Sequence, residues 1–182
     1  SFFNPKQYSN HSISLASARA GNVIGGGDWS KDRIIPDIIR ALQSETPVIV
    51  RNPNAIRPWQ HVLEPLGGYL HLATRMSDDK IKYSEAWNFG PEIEDDLTVE
   101  ELVKLAIKYW GKGTYETPEL KNQPHEAGLL KLDIDKAKSE LEWFPKMTAS
   151  ESIKFTIEWY KEFSEGIKAA ELTERQIKKF TS

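Results

Sequence analysis

The first candidate for ligand chemistry is residues 19–29, Arg-Ala-Gly-Asn-Val-Ile-Gly-Gly-Gly-Asp-Trp. Arg19 and Asn22 lead into a glycine run, where a ligand can touch the backbone because glycine has no side chain. The amide of Asn22 offers a donor and an acceptor, which suits phosphate oxygens or sugar hydroxyls. A purely structural turn is an equal alternative, since glycines also serve positions with positive φ. No Gly-Lys-Ser/Thr follows, so the stretch is not a P-loop.

A second candidate is the loop at residues 51–61, Arg-Asn-Pro-Asn-Ala-Ile-Arg-Pro-Trp-Gln-His. Arg51 and Arg57 suit a diphosphate, because planar guanidinium groups match phosphate oxygens two at a time. The prolines stiffen the loop and reduce the entropy lost on binding. A solvated surface loop with Arg57 stacked on Trp59 is the alternative. The content of Arg, Asn and Trp favours binding.

Two further polar residues lie where loops follow strands. Asn88 ends a predicted strand before Gly90-Pro91, a common position for a ligand contact in α/β folds, although a turn cap is equally compatible with the sequence. His125 lies in a later loop, where a lone histidine is more often a hydrogen-bonded loop residue than a catalyst. The four histidines lack metal-ligand spacing, so no metal site is expected.

Hydrophobic periodicity predicts the elements that must position these side chains. Helices are expected near residues 33–42, 64–76, 98–110, 136–141, 148–163 and 167–180, and strands near residues 13–18, 48–50, 86–89 and 130–132. Capping boxes at Thr98 and Thr148 predict two helix starts. In the second helix, Leu66, Leu70 and Ala73 are expected to form the buried stripe, and residues 51–60 are expected to be a loop.

The alternation of strands and helices predicts an α/β fold. The strand near residues 13–18 has no preceding partner, so the chain is expected to begin in the middle of a sheet. The 182 residues carry a net charge of −3 with both signs interspersed, which gives no footprint for nucleic acid. No apolar run is long enough to predict a membrane span. The absence of cysteine excludes disulfides and fits a cytoplasmic protein.

Taken together, these stretches resemble the extended short-chain dehydrogenase/reductase superfamily. Its nucleotide-sugar members carry Arg-x-x-Asn-Val-x-Gly after the catalytic helix, which corresponds here to Arg19, Asn22, Val23 and Gly25. Over their full length, the sequences of residues 19–29 and 51–61 are similar to those of the CDP-glucose 4,6-dehydratases in particular. Most relatives carry Arg-Asp-Phe or Arg-Asp-Trp where this chain has an Arg-Pro-Trp at residues 57–59. The resemblance covers nearly the whole chain.

The resemblance implies a set of substrate-binding positions for CDP-glucose. Asn22 and Arg57 match positions that bind the diphosphate and the neighbouring sugar. Asn88 and His125 match positions in later loops that close over the substrate. The nucleotide side and the strand that flanks the base are matched by five residues: Arg33, Ile34, Val48, Ile49 and Val50.

Three residues, Arg19, Ala20 and Gly21, are implied to lie where the strand end passes the nicotinamide of NAD. Arg51 and Asn54 have no general counterpart in the superfamily, and we treat them as a hypothesis for the selection of cytosine or ribose.

The chemistry that the resemblance implies is the NAD-dependent conversion of CDP-glucose to CDP-4-keto-6-deoxyglucose, a step of deoxysugar and lipopolysaccharide O-antigen synthesis. Hydride leaves C4 for the cofactor, water is eliminated across C5 and C6, and hydride returns at C6. This requires a glycine-rich pyrophosphate turn and a Tyr-x-x-x-Lys pair. The sequence contains neither, so no catalytic residue is expected in this chain.

The resemblance therefore predicts the carboxyl-terminal part of such an enzyme. Residues 1–30 are expected to be the end of the NAD-binding Rossmann domain. Residues 31–182 are expected to be mainly the nucleotide-sugar domain, with some segments returning to the Rossmann sheet. Such a chain is expected to be inactive alone and to pair with an amino-terminal half or with itself. A non-catalytic CDP-sugar-binding module and a fragment of another nucleotide-sugar epimerase or dehydratase are the alternatives.

Overall fold

The computed structural model describes residues 13–118 and 130–182. The strands in these ranges are β1 Ser17–Ala20, β2 Asn22–Ile24, β3 Val48–Ile49, β4 Ile56–Arg57, β5 Trp59–His61, β6 Ala86–Phe89, β7 Leu97–Thr98 and β8 Tyr115–Glu116. The helices are α1 Ile34–Gln43, α2 Leu63–Asp78, α3 Lys80–Tyr83, α4 Val99–Trp110, α5 Asp135–Leu141, α6 Ala149–Ser164 and α7 Ala169–Thr181.

One extended segment crosses from one strand pair to the next. β1 runs parallel to β6, and β2 runs parallel to β5. Between β1 and β2, the amide of Gly21 donates to the carbonyl of Phe89, and the amide of Asn22 donates to that of Pro58. A Cβ atom on Gly21 would lie 2.6 Å from the carbonyl oxygen of Pro58, so this crossing has no room for a side chain.

The remaining strands are short and pair across long sequence separations. β3 runs parallel to β8, and β4 runs antiparallel to β7. Together with the helices they confirm the predicted α/β class. The prediction of a loop at residues 51–60 is wrong in part, because β4 and the start of β5 lie in it. The strand predicted near Leu130 and Leu132 is also wrong, since residues 130–134 have no regular structure.

The helices begin where their local signals predict. Thr98 and Thr148 each accept a hydrogen bond from the N3 amide, while Glu101 and Glu151 reach back to the cap amide. Both capping boxes are therefore confirmed. Pro36 lies in the first turn of α1, where a missing amide proton costs nothing. No helix within residues 13–118 and 130–182 is long and apolar enough to cross a bilayer.

Two hydrophobic clusters form the interior. The larger cluster joins α1, α4 and α6 with β3 and β5 and contains such fully buried residues as Ile38, Leu102 and Ile157. The smaller joins α2, β6 and α5 around Trp87 and Phe89. The strand segment that contains Gly21 runs from the second cluster to the first.

Two predicted apolar surfaces are exposed instead of buried. The strand expected at residues 13–18 begins only at Ser17, and Ile13 and Leu15 are each 47% exposed. In α2, Leu66 is 47% exposed and Leu70 is 73% exposed. The helix buries Gly68 and Leu72 because the ring of Phe89 packs on the bare backbone of Gly68. The stripe predicted from the leucines is therefore wrong.

Candidate functional site

A cavity of about 650 Å³ lies between the glycine turn, the start of α1 and the segment that contains β4 and β5. Four of the predicted substrate-binding residues line it, namely Asn22, Arg33, Ile34 and Arg57. They come from four places: β2, the residue that precedes α1, the first turn of α1, and β4. The fold thus brings together side chains that the sequence separates.

A second cavity of about 680 Å³ adjoins the first, since Asp32, Ile34 and Val99 line both. Its wall includes Ile34 together with three more of the predicted residues: Val48, Ile49 and Arg51. We refer to the two cavities together as the cleft. The cleft therefore contains Asn22 and Arg57, assigned to the diphosphate and sugar, together with Val48 and Ile49 of the strand assigned to the base.

The charges in the cleft are arranged around two aspartates. An Arg33 guanidinium nitrogen lies 3.4 Å from a carboxylate oxygen of Asp28, and an Arg51 nitrogen lies 3.8 Å from one of Asp32. The backbone amide of Ser30 donates to Asp28 at 2.9 Å. That hydrogen bond is the main reason why the pKa of Asp28 is lowered, and Arg33 adds to the effect. Asp28 is therefore an anionic anchor for Arg33.

Arg57 contributes a guanidinium group to the wall of the first cavity. One of its guanidinium nitrogens donates to the carbonyl of Ile56 at 2.9 Å, which fixes the group against its own strand. Arginine forks bind phosphate oxygens through paired hydrogen bonds. Arg33 and Arg57 on one cavity, beside the amide of Asn22, therefore form a surface suited to a diphosphate.

Trp59 is a cleft residue that the sequence argument did not single out as a ligand. It lines the first cavity and is only 5% exposed, and its indole nitrogen has no hydrogen-bond partner among the described residues. A buried N–H without a partner costs free energy, which a ligand acceptor would recover. The signal available in the sequence was a tryptophan two residues after an arginine in a proline-rich loop.

Several predicted residues lie outside the cleft. Val50 is buried in the larger core cluster, and Asn54 is exposed and lines neither cavity. The side-chain amide of Asn88 donates to the carbonyl of Asp133 at 2.9 Å. His125 falls outside the described residues. The ligand roles of these four residues stay predictions.

The three residues assigned to the nicotinamide of NAD lie at the end of β1 and directly after it. Arg19 is exposed on β1, and Ala20 is the last residue of that strand. The next position must be glycine because Gly21 packs against the carbonyl oxygen of Pro58. The role of these three residues beside the nicotinamide stays a prediction. No group of three or more His, Cys, Asp or Glu side chains that could hold a metal occurs in the part of the chain that the structure describes.

Comparison with known proteins adds the decisive observation. No family model matches the chain. Over all 182 residues, however, the chain is 47% identical to the CDP-glucose 4,6-dehydratase of Salmonella typhimurium strain LT2. The chain is similar to CDP-glucose 4,6-dehydratase along its whole length. It covers 51% of that protein, so it spans about half the length of the curated relative. The predicted resemblance is confirmed.

Solved structures confirm the fold of the short-chain dehydrogenase/reductase type. The dTDP-glucose 4,6-dehydratase of Bacillus anthracis in complex with NAD has a TM-score of 0.67 and 19% identity, over 91% of this chain and 50% of that one. The UDP-glucuronic acid 4-epimerase of Bacillus cereus in complex with UDP-glucuronic acid and NAD has a TM-score of 0.69 and 20% identity, over 86% and 48%. At this identity the likeness concerns the fold alone.

Proposed function

We propose that this chain is the substrate-binding portion of a CDP-glucose 4,6-dehydratase and that its cleft binds CDP-glucose. One observation carries the proposal: Asn22, Arg33 and Arg57, taken from distant parts of the sequence, line one cavity. The identity of 47% to a dehydratase of this specificity supports the choice of sugar nucleotide.

In this proposal the diphosphate lies against Arg33 and Arg57, and Asn22 holds the adjoining sugar. The base occupies the second cavity beside Val48 and Ile49, where Arg51 contributes to the selection of cytosine or ribose. The carbon skeletons of a base and a sugar suit the apolar walls, while the two guanidinium groups match the charge of the diphosphate.

The complete enzyme of this proposal uses NAD. Arg19, Ala20 and Gly21 contribute one edge of the cofactor site, and the rest of that site and the catalytic base belong to the half of the enzyme that this chain does not cover. The chain alone is then a binding unit without dehydratase activity, and the complete enzyme supplies deoxysugars in the cytoplasm. A companion polypeptide half is the expected partner.

Isothermal titration of the purified chain with CDP tests the proposal, with UDP and NAD⁺ as comparison ligands. We expect CDP to bind more tightly than UDP and NAD⁺ not to bind. Arg57→Ala is expected to weaken CDP binding at least tenfold, because a charge-assisted hydrogen bond contributes roughly 1.5–3 kcal/mol.

The matched control is Arg175→Ala on α7, where the arginine pairs with Glu162 and lines neither cavity of the cleft. It should leave CDP affinity unchanged. Equal binding of CDP and UDP would contradict the proposed specificity. Binding that is insensitive to Arg57→Ala would contradict the assignment of the cleft.

A further inference from the structure

The glycine turn at residues 25–27 lies directly on helix α6. A Cβ atom on Gly26 would lie 2.1 Å from the indole of Trp159, so any side chain there would displace the turn or the ring. The indole itself is held from the far side, because its nitrogen donates to the hydroxyl of Thr173 at 3.3 Å and its ring stacks on Phe163 at 5.1 Å. Trp159 is therefore a fixed surface against which the turn is seated.

The next residue of α6 holds the other end of the turn. The hydroxyl of Tyr160 donates to the carbonyl of Asp28 at 2.6 Å, and the ring of Trp29 meets the Tyr160 ring edge-on at 5.2 Å. Burial raises the pKa of Tyr160 to about 12, so the hydroxyl keeps its proton at neutral pH. The carboxylate of Asp28 in turn contacts Arg33 in the cleft.

We propose that Trp159 and Tyr160 are positioning residues for substrate binding. They fix the glycine turn and, through Asp28, the guanidinium of Arg33. Neither side chain lines the cleft, so both act through the residues that they hold. The effect on substrate binding rests on the proposed function, but the effect on the turn does not.

The variant Tyr160→Phe tests the proposal because it removes one hydroxyl and keeps the aromatic ring. The backbone order parameter S² of residues 25–29, measured by ¹⁵N NMR relaxation without ligand, is expected to fall from about 0.85 toward 0.6. The Kd for CDP, measured by titration of the same chain, is expected to rise about fivefold, the effect of one typical hydrogen bond.

The matched control is Tyr109→Phe. The hydroxyl of Tyr109 is hydrogen-bonded to Ser150 at 2.9 Å, where α4 packs on α6, and it lines neither cavity. This variant loses a comparable tyrosine hydrogen bond, so it reports any general loosening of α6. It is expected to leave both the order of residues 25–29 and the Kd for CDP unchanged.

The possible outcomes separate this inference from the proposed function. Unchanged order at residues 25–29 in Tyr160→Phe, or an equal loss of order in Tyr109→Phe, would overturn the positioning role. A loosened turn with an unchanged Kd would overturn its link to substrate binding. A loosened turn in a chain whose wild type binds no CDP would leave Tyr160 as the anchor of the turn and would reject CDP binding by this chain.

Discussion

At the scale of single residues, His61 places an ionisable ring in the interior at the junction of β5 and α2. It is 1% exposed, its Nδ1 accepts from the amide of Leu63 at 3.4 Å, and its Nε2 has no partner among the described residues. Burial lowers the pKa of His61 to about 4, because the charged ring would lose its hydration. In the unfolded chain the pKa of a histidine is about 6.5.

This shift fixes the sign of a pH effect on stability. Above pH 6.5 the ring is neutral in both states, whereas between pH 6.5 and pH 4 the unfolded chain binds the proton more readily. We therefore expect His61 to reduce the free energy of unfolding by about 2 kcal/mol between pH 8 and pH 5.

Urea unfolding of the wild type and His61→Asn at pH 8 and pH 5 measures this effect. Asparagine keeps an acceptor for the Leu63 amide but does not titrate. Between pH 8 and pH 5, the free energy of unfolding of the variant should fall by about 2 kcal/mol less than that of the wild type, whatever the variant's absolute stability. Equal losses in the two proteins would contradict the assignment. Glu64, whose pKa is raised by burial, shifts stability in the opposite direction in both proteins.

At the scale of secondary-structure elements, α2 contains two adjacent glycines with opposite requirements. A Cβ atom on Gly67 would meet only Phe180 at 3.7 Å, an ordinary contact, whereas one on Gly68 would lie 2.3 Å from the ring of Phe89. The first position is thus free for a side chain, and the second is where β6 approaches the helix.

We therefore expect Gly67→Ala to raise the free energy of unfolding by about 0.5–1 kcal/mol, because alanine loses less backbone entropy in a helix. Gly68→Ala is expected to lower it by about 1–3 kcal/mol through overpacking. Chemical denaturation of both variants tests the pair. Stabilisation by Gly68→Ala would show that α2 does not pack on Phe89 as described.

The helices show which features of the fold the sequence could predict and which it could not. Helix starts at Thr98 and Thr148 were predictable because a capping box is a contact between residues three apart. The buried face of α2 was not, because it depends on a ring 21 residues away in the sequence, and the rule that leucines mark the core fails where a glycine receives that ring. The same holds for β4, whose partner β7 lies about 40 residues later.

The site was predictable to a similar extent. The motif resemblance identified Asn22, Arg33 and Arg57, which the structure gathers at one cavity. It missed Asp28 as the partner of Arg33, and it missed Trp59 as a buried donor without a partner among the described residues. A side chain's hydrogen bonds depend on the three-dimensional packing around it.

At the scale of the whole molecule, several large apolar side chains are exposed among the described residues. Leu66 and Leu70 lie one turn apart on the exposed side of α2, and the exposed Ile13 and Leu15 precede β1. Among the described strands, β1 pairs with β6 alone, and an edge strand of this kind is a common site of strand pairing between chains. Surfaces of this kind favour association.

We therefore expect the isolated chain to associate as its concentration rises. Light scattering over a tenfold concentration range should show an increasing average mass, and Leu70→Lys should reduce it. Ile177→Lys, which changes an exposed isoleucine of α7, is the control and should not. A monomer at every concentration would contradict the expectation.

The bond between Tyr160 and Asp28 joins residues 132 positions apart in the sequence. During synthesis on the ribosome, Asn22, Arg33 and Arg57 emerge long before α6, the helix that holds the glycine turn. A nascent chain that ends before residue 149 therefore contains every predicted cleft residue that the structure gathers, but lacks α6, the helix on which the glycine turn packs. On the proposed function, the cleft is then completed late, when the last quarter of the chain folds back onto the first.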